Sequence, residues 1–129
     1  MANWTPESFV AKQFAIGNRY IPPPAGIPAP VLWGDENVVR ERLGAFASGI
    51  ATTRPSVDFD YPFPPSEVVQ FFRQYFGPAQ VAFAKLPPDA QLAYTAELES
   101  LWSEHNQATD GHTVVHAEYL EVIATRAGN

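Results

Sequence analysis

Three imidazoles, His105, His112 and His116, fall within one short stretch of the sequence, with Asp110 and Glu118 close by. Neutral imidazole and carboxylate are the ligands that zinc and iron accept. The pattern does not favour a metal site. His112 falls in a turn, His116 at the start of a strand, and no helix carries an H-x-x-x-H or H-E-x-x-H pair. His116 remains a candidate general base, because an imidazole that titrates near neutral pH can accept a substrate proton. Asp58 and Asp60 share one face of a strand at a spacing of about 6–7 Å and read as a solvated pair, as do Glu97, Glu99 and Glu104 along a helix. The aromatic residues point to a different chemistry. Trp4, Trp33, Phe71, Phe72, Tyr75, Phe76 and Phe83 are more rings than a small core built on two strands needs. Trp4, Trp33, Phe71, Phe72, Tyr75 and Phe76, together with His116, are therefore the candidate substrate-binding residues of an apolar pocket for a planar or lipid-like molecule. No residue is assigned a catalytic role.

The elements that must position these residues follow from periodicity. Thr5-Pro6-Glu7 reads as N-cap, first-turn proline and first-turn acid, opening a helix to Asn18 with Phe9, Val10 and Phe14 on its buried side. Ile21 to Pro30 is an extended proline-rich connector. A short helix starts at Trp33-Gly34-Asp35-Glu36, with Val39 and Leu43 on one face and Gly44 at its end. From Ala51 to Tyr61 the period changes to two, and Val57, Phe59 and Tyr61 alternate with Asp58 and Asp60 as in a half-buried strand. Helical spacing returns from Ser66 to Phe76, then in a shorter piece from Ala79 to Leu86. A long helix opens at Pro87-Pro88-Asp89 and carries Leu92, Leu98, Leu101, Trp102 and His105 on one side. After the Asp110-Gly111 turn, Val114 to Thr125 is a second strand with apolar residues in both parities, which asks for cover on both faces. Ala2 to Trp4 is a candidate third, short strand segment. The expected fold is a mixed α/β (α+β), helix-rich single domain over residues 1–129, with two long antiparallel strands.

Composition bounds the partners. The formal charge is -6 and the eight Lys and Arg are scattered singly, which leaves no basic stripe for nucleic acid or an anionic membrane surface. There is no cysteine, hence no disulfide framework and no thiolate chemistry. No basic start precedes an apolar run and no segment approaches the ~20 apolar residues of a membrane span, so a cytoplasmic location is expected.

Asn3-Trp4-Thr5-Pro6-Glu7, Pro22-Pro23-Pro24, Leu32-Trp33-Gly34-Asp35, Tyr61-Pro62-Phe63-Pro64-Pro65, Tyr75-Phe76-Gly77-Pro78 and the closing Glu118-Tyr119-Leu120-Glu121-Val122-Ile123-Ala124-Thr125-Arg126 occur in this order. Taken together they resemble the C-terminal half of a class I S-adenosylmethionine-dependent methyltransferase of the type 11 group, related to quinone-biosynthesis methyltransferases. The resemblance covers essentially the whole chain. It implies that Ala51 to Tyr61 is the sixth sheet strand, that Val114 to Thr125 is the antiparallel seventh, inserted between strands five and six, and that the N-W-T-P segment lies just after strand five. The family's methyl donor is S-adenosylmethionine. No two glycines here are separated by a single residue, so the glycine-rich donor turn is absent, as is the ribose acid, and no cofactor is expected to bind this chain alone. The expected function is the substrate-side portion of a small-molecule methyltransferase, truncated or split and inactive alone. One alternative is a stand-alone module for small-ligand binding or dimerisation. Another is an enzyme of the ketosteroid-isomerase or polyketide-cyclase kind, though such folds need a curved sheet of several strands and only two are convincing here. A homodimer is expected, or an N-terminal half supplied by another chain, because the last strand would otherwise leave one edge unpaired.

Overall fold

The computed structural model describes residues 1–128. In chain order the elements are β1 (Ala2–Trp4), α1 (Phe9–Tyr20), a 3-10 turn (Pro30–Gly34), α2 (Glu36–Leu43), β2 (Ala47–Thr53), β3 (Ser56–Tyr61), α3 (Pro65–Tyr75), α4 (Gly77–Lys85), α5 (Pro88–His105) and β4 (Thr113–Arg126). The fold is mixed α/β, with five α-helices and an antiparallel four-stranded sheet.

Local chemistry sets most of the helix boundaries. Pro65, Pro78 and Pro88 stand in the first turns of α3, α4 and α5, where a missing N–H costs nothing and φ is already helical. Asp35 caps α2 by accepting from the Asn37 and Val38 amides. The start of α1 departs from the expectation. Ser8, not Thr5, is the N-cap, its Oγ accepting from the Ala11 amide at 3.2 Å. Thr5 is instead buried, and its hydroxyl donates to Glu118 Oε1 at 2.9 Å. A tertiary contact with β4 has taken the hydroxyl that a local cap would use, and the helix runs two residues past Asn18 to stop just before Ile21-Pro22. Along α5 the buried residues are Tyr94, Leu98, Leu101 and Trp102, whereas Leu92 is 74% exposed. Two residues from Tyr94 is about 200° around a helix, so the two cannot share a face.

β4 is the axis of the sheet. β3 pairs with its first half, from Tyr61 opposite Thr113 to Ser56 opposite Glu118. β2 pairs with its second half, from Thr53 opposite Glu121 to Gly49 opposite Thr125. The stretch read as one strand from Ala51 to Tyr61 is thus two, beginning earlier at Ala47. The interruption is Arg54-Pro55. The Tyr119 amide donates to the Pro55 carbonyl at 3.0 Å, but proline has no N–H to return. The register is the same on both sides of this gap, so β2 and β3 lie end to end along one edge.

The opposite edge, expected to be open, is held by β1, with Ala2, Asn3 and Trp4 opposite Glu121, Leu120 and Tyr119. Met1 exchanges both of its backbone hydrogen bonds with Val122, at 2.7 and 2.9 Å, and the Thr5 amide donates to the Glu118 carbonyl. Nearer the start of the strand, Val114 receives its partners from the Asn106 side chain and the Gln107 amide. The unpaired edge that motivated pairing between two copies of β4 is therefore largely occupied from within the chain.

The two faces of β4 are covered at opposite ends. Val115 and Ala117 point into a core formed with α1, α3, α4 and α5, around Phe9, Val68, Phe83, Leu98 and Trp102. Leu120 and Val122 point the other way, onto Val39, Leu43 and Trp33 of α2 and the 3-10 turn. As far as Val122 the apolar residues in both parities thus have cover, though not at the same place along the strand; Ile123 and Ala124 beyond it are exposed.

Gly34 locks the 3-10 turn against β1. A Cβ there would lie 1.8 Å from the Trp4 carbonyl oxygen and 2.6 Å from its carbon, both backbone atoms with no freedom to yield. Gly34→Ala is expected to lower stability by about 1–3 kcal/mol, the usual cost of overpacking, read as a reduced urea midpoint with unchanged slope.

Candidate functional site

A cavity of about 170 Å3 lies between α1 on one side and α3 and α4 on the other, floored by Tyr94, Leu98 and Trp102 of α5. Its walls are set by helix packing. Phe9 of α1 meets Trp102 edge-on at 4.5 Å between ring centroids. Arg19 reaches Glu97 at 2.7 Å and ties the far end of α1 to α5. The Tyr20 hydroxyl, hydrogen-bonded to Glu97, holds that carboxyl below its ordinary value, and Arg19 adds to the effect. The opposite wall hangs on Gln91. Its Nε2 donates to the Phe83 and Leu86 carbonyls at the end of α4, at 2.8 and 2.9 Å, and its Oε1 accepts from Arg73 of α3 at 3.1 Å. Arg73 also lies over the Phe83 ring at 4.5 Å. One amide therefore joins three helices and satisfies carbonyls that a helix end leaves open.

Inside, the cavity is lined by Val69, Phe72, Phe76, Ala79, Ala82 and Phe83 from the α3–α4 side and by Gln13, Phe14 and Gly17 from α1. Gly17 matters for shape. A Cβ at this position would sit 3.2 Å from the Tyr94 hydroxyl oxygen, so glycine lets the phenol approach the α1 backbone. Burial raises the pKa of that phenol, which keeps it protonated. Gln13 and Asn18 are the two amide side chains in the lining. The Gln13 Oε1 is buried and has no hydrogen-bond partner among the described residues.

The structure divides the expected site residues among separate places. Phe72 and Phe76 line this cavity. Phe71 and Tyr75 lie on the outer side of α3, 41% and 65% exposed, and cluster there with Tyr61 and Phe63. Trp4 borders a second groove of about 180 Å3, closed over by Pro23 and Ile27 to Val31 of the connector; Phe14 and Asn18 line both spaces. Trp33 is on the other side of the sheet, packed on the second core with Arg42 4.6 Å above its ring. His116 projects from an exposed sheet face and pairs with Asp58 directly across the ladder. It touches none of the rings named with it. Among the described residues no group of three His, Asp or Glu side chains is placed to hold a metal. Nor is any helix long and apolar enough to cross a membrane.

Phe83, counted among the surplus rings, also lines the cavity, whereas Gln13, Tyr94 and Trp102 are site residues that sequence reasoning missed. The signal for Gln13 was present: it stands four residues after Phe9 and four before Gly17, on the same helical stripe, and a polar side chain on an apolar stripe needs a reason.

No known protein family profile matches the chain. It is similar to the uncharacterized protein Rv1403c of Mycobacterium tuberculosis, with 35% identity over 127 residues, and to Mb1438c of Mycobacterium bovis at the same identity. A second Mycobacterium tuberculosis protein, the uncharacterized Rv1405c, is 28% identical over 125 residues. Each match covers 96% of this chain and 45% of the relative. The chain thus spans a little under half the length of the curated relatives it matches.

An unpartnered buried acceptor is destabilising by about 1–3 kcal/mol. Gln13→Leu, close in volume and without the carbonyl, is expected to raise the thermal midpoint by a few degrees, and Gln13→Ala to leave it level or lower it through lost packing. Differential scanning calorimetry of the two variants checks this.

Proposed function

We propose that this chain is the substrate-side portion of a small-molecule S-adenosylmethionine-dependent methyltransferase. The observation that carries the reading is the strand order. β4 lies between β1 and the β2–β3 line, antiparallel to both, which is the arrangement that the resemblance implies for the seventh strand between five and six, except that Asn3 and Trp4, expected just after strand five, themselves lie in the strand at that place. Two further features support it. The relatives extend well beyond the matched region, leaving room for a donor-binding portion. One sheet face is bare toward the end of β4, where Ile123 is 63% exposed and Ala51, Thr53 and Glu121 are also on the surface.

The methyl donor does not fit the residues of this chain. The glycines with positive φ are Gly26, in the proline-rich connector, and Gly111, in the turn before β4. Neither follows a strand and opens a helix, as a dinucleotide or sulfonium-nucleoside turn must. The part left to this chain is to bind the acceptor in an apolar site, orient it and exclude water. Calorimetric titration separates the outcomes. This chain alone is expected to give no saturable S-adenosylmethionine isotherm at a dissociation constant below about 10 µM, and full-length Rv1403c to give one. Failure of the full-length relative to bind overturns the reading, and so does tight binding by this chain alone.

The bare face also favours a second reading, a stand-alone module that dimerises by burying it. Val57, Met1 and Phe46 are exposed as well, at 42%, 54% and 71%. On this reading sedimentation equilibrium at tens of micromolar shows a dimer of the 14.2 kDa chain, and Ile123→Lys shifts it to monomer. A clean wild-type monomer removes this alternative.

A further inference from the structure

We infer that the cavity between α1 and the α3–α4 pair and the groove beneath the connector form one trough, which binds a neutral amphiphile: an uncharged polar end group beside Asn18 and Tyr94, and a flexible hydrocarbon chain running under Ile27 to Val31. This deepens the substrate-side reading, on which it rests only for the amphiphile's role as acceptor; the binding itself belongs to the trough.

Three observations define the ligand. The first is continuity. Phe14 and Asn18 line both spaces, and large apolar side chains stand exposed along the path: Val81 at 55% in the cavity, Phe14 at 40% at the junction and Ile27 at 63% in the groove. Contiguous exposed apolar surface of this kind is characteristic of ligand-binding grooves. The two spaces measure about 170 and 180 Å3, each close to the roughly 150 Å3 that accommodates benzene. A single ring fills one of them, and only an elongated, bendable molecule uses both. The second is charge. Among the described residues no Asp, Glu, Lys, Arg or His lines either space, so an ion leaving water for these walls finds no counter-charge. The ligand is therefore neutral. The third is where the polar side chains stand. Gln13 and Tyr94 belong to the cavity and Asn18 to the junction. The groove beyond them offers no free polar side chain, because Asn3 donates its Nδ2 to the Pro30 carbonyl at 2.7 Å and accepts the Trp4 amide on its Oδ1 at 2.9 Å. Pro23, Pro28 and Pro30 on the connector wall have no N–H to offer either. A polar end group is thus held at the Asn18 and Tyr94 end, and the apolar chain takes the groove.

The probes are straight-chain primary alcohols from 1-butanol to 1-octanol, titrated into the chain and followed by amide proton–nitrogen correlation spectra. Saturable shifts are expected at Asn18 and Ala82 for every member, spreading to Ala29 and Val31 as the alcohol lengthens, with the dissociation constant falling about twofold to fourfold per added methylene. Octanoate, whose charge meets no cation in the trough, should bind at least about fivefold more weakly than 1-octanol. Ile27→Asp should weaken 1-octanol by about tenfold and 1-butanol by less than about twofold. Leu92→Asp, at a position that is also largely exposed but lies outside the trough, should change neither. The spectra of both variants report whether they are folded. The inference is overturned if 1-octanol shifts none of those amides up to its solubility limit, if affinity does not rise with chain length, or if octanoate binds as well as 1-octanol. It is also overturned if folded Ile27→Asp binds 1-octanol no more weakly than Leu92→Asp does. Shifts of the same amides on raising the protein concentration alone would show that a second copy fills the trough, and would overturn it as well. None of these outcomes depends on S-adenosylmethionine binding by the longer relative, so either proposal can fail without the other.

Discussion

Every layer of this molecule is attached to the backbone ladder of β4. Fourteen residues, Thr113 to Arg126, receive β3 and β2 in succession on one edge and β1 on the other. Where a strand is buried between neighbours it has to satisfy its N–H and C=O groups on both sides, since there they cannot reach water. That demand explains features that look unrelated. Met1 to Thr5 is drawn out of any helix and laid along the second edge. Asn106 turns its side chain onto Val114. Thr5 gives its hydroxyl to Glu118 and leaves the capping of α1 to Ser8.

The same strand separates two cores. Its side chains alternate without interruption, yet the buried parity changes from Val115 and Ala117 to Leu120 and Val122. Nothing in the strand shifts register opposite β3 and the adjoining part of β2; what changes is which helices lie over it. The three-helix insertion α3 to α5 and the leading helix α1 cover one face at one end, and the short α2 covers the opposite face at the other. A cavity arises where α1 and α4, which belong to separate parts of the chain, both rest on α5 without meeting each other fully. Tyr94 and Gly17 make their closest approach there, and Gln91 and Arg73 hold the far wall at a fixed distance. The pocket is thus a gap left by two packing constraints, and Gln13 is a polar group caught at its edge.

His116 and Asp58 show the limit of reading chemistry from residue types. They pair across the ladder on an exposed face, where solvent screens the charge and no wall positions a reacting group. The pair orients an imidazole. Nothing around it supplies the desolvation or the substrate contact that acid–base work needs.

Much of the fold was legible in the sequence because its signals are local. Period-two alternation announced β3, helical spacing announced α3 and α4, Pro87-Pro88-Asp89 announced the start of α5, and the mixed parity of Val114 to Thr125 announced a strand covered on both faces. The interruption at Pro55 and the cap at Ser8 escaped because they depend on a backbone partner far along the chain. For the site, the surplus of rings pointed to an apolar space, and of the rings named Phe72, Phe76 and Phe83 lie together on one cavity wall. Which other rings join them was decided by tertiary structure alone. Trp33 and His116 went to other surfaces, Phe71 and Tyr75 to the outside of α3, and Tyr94 and Trp102 into the walls. Periodicity determines which side of an element is buried. It carries no information about which other element will cover that side, because this depends on the crossing of helices that the sheet ladder, and not the local sequence, brings together.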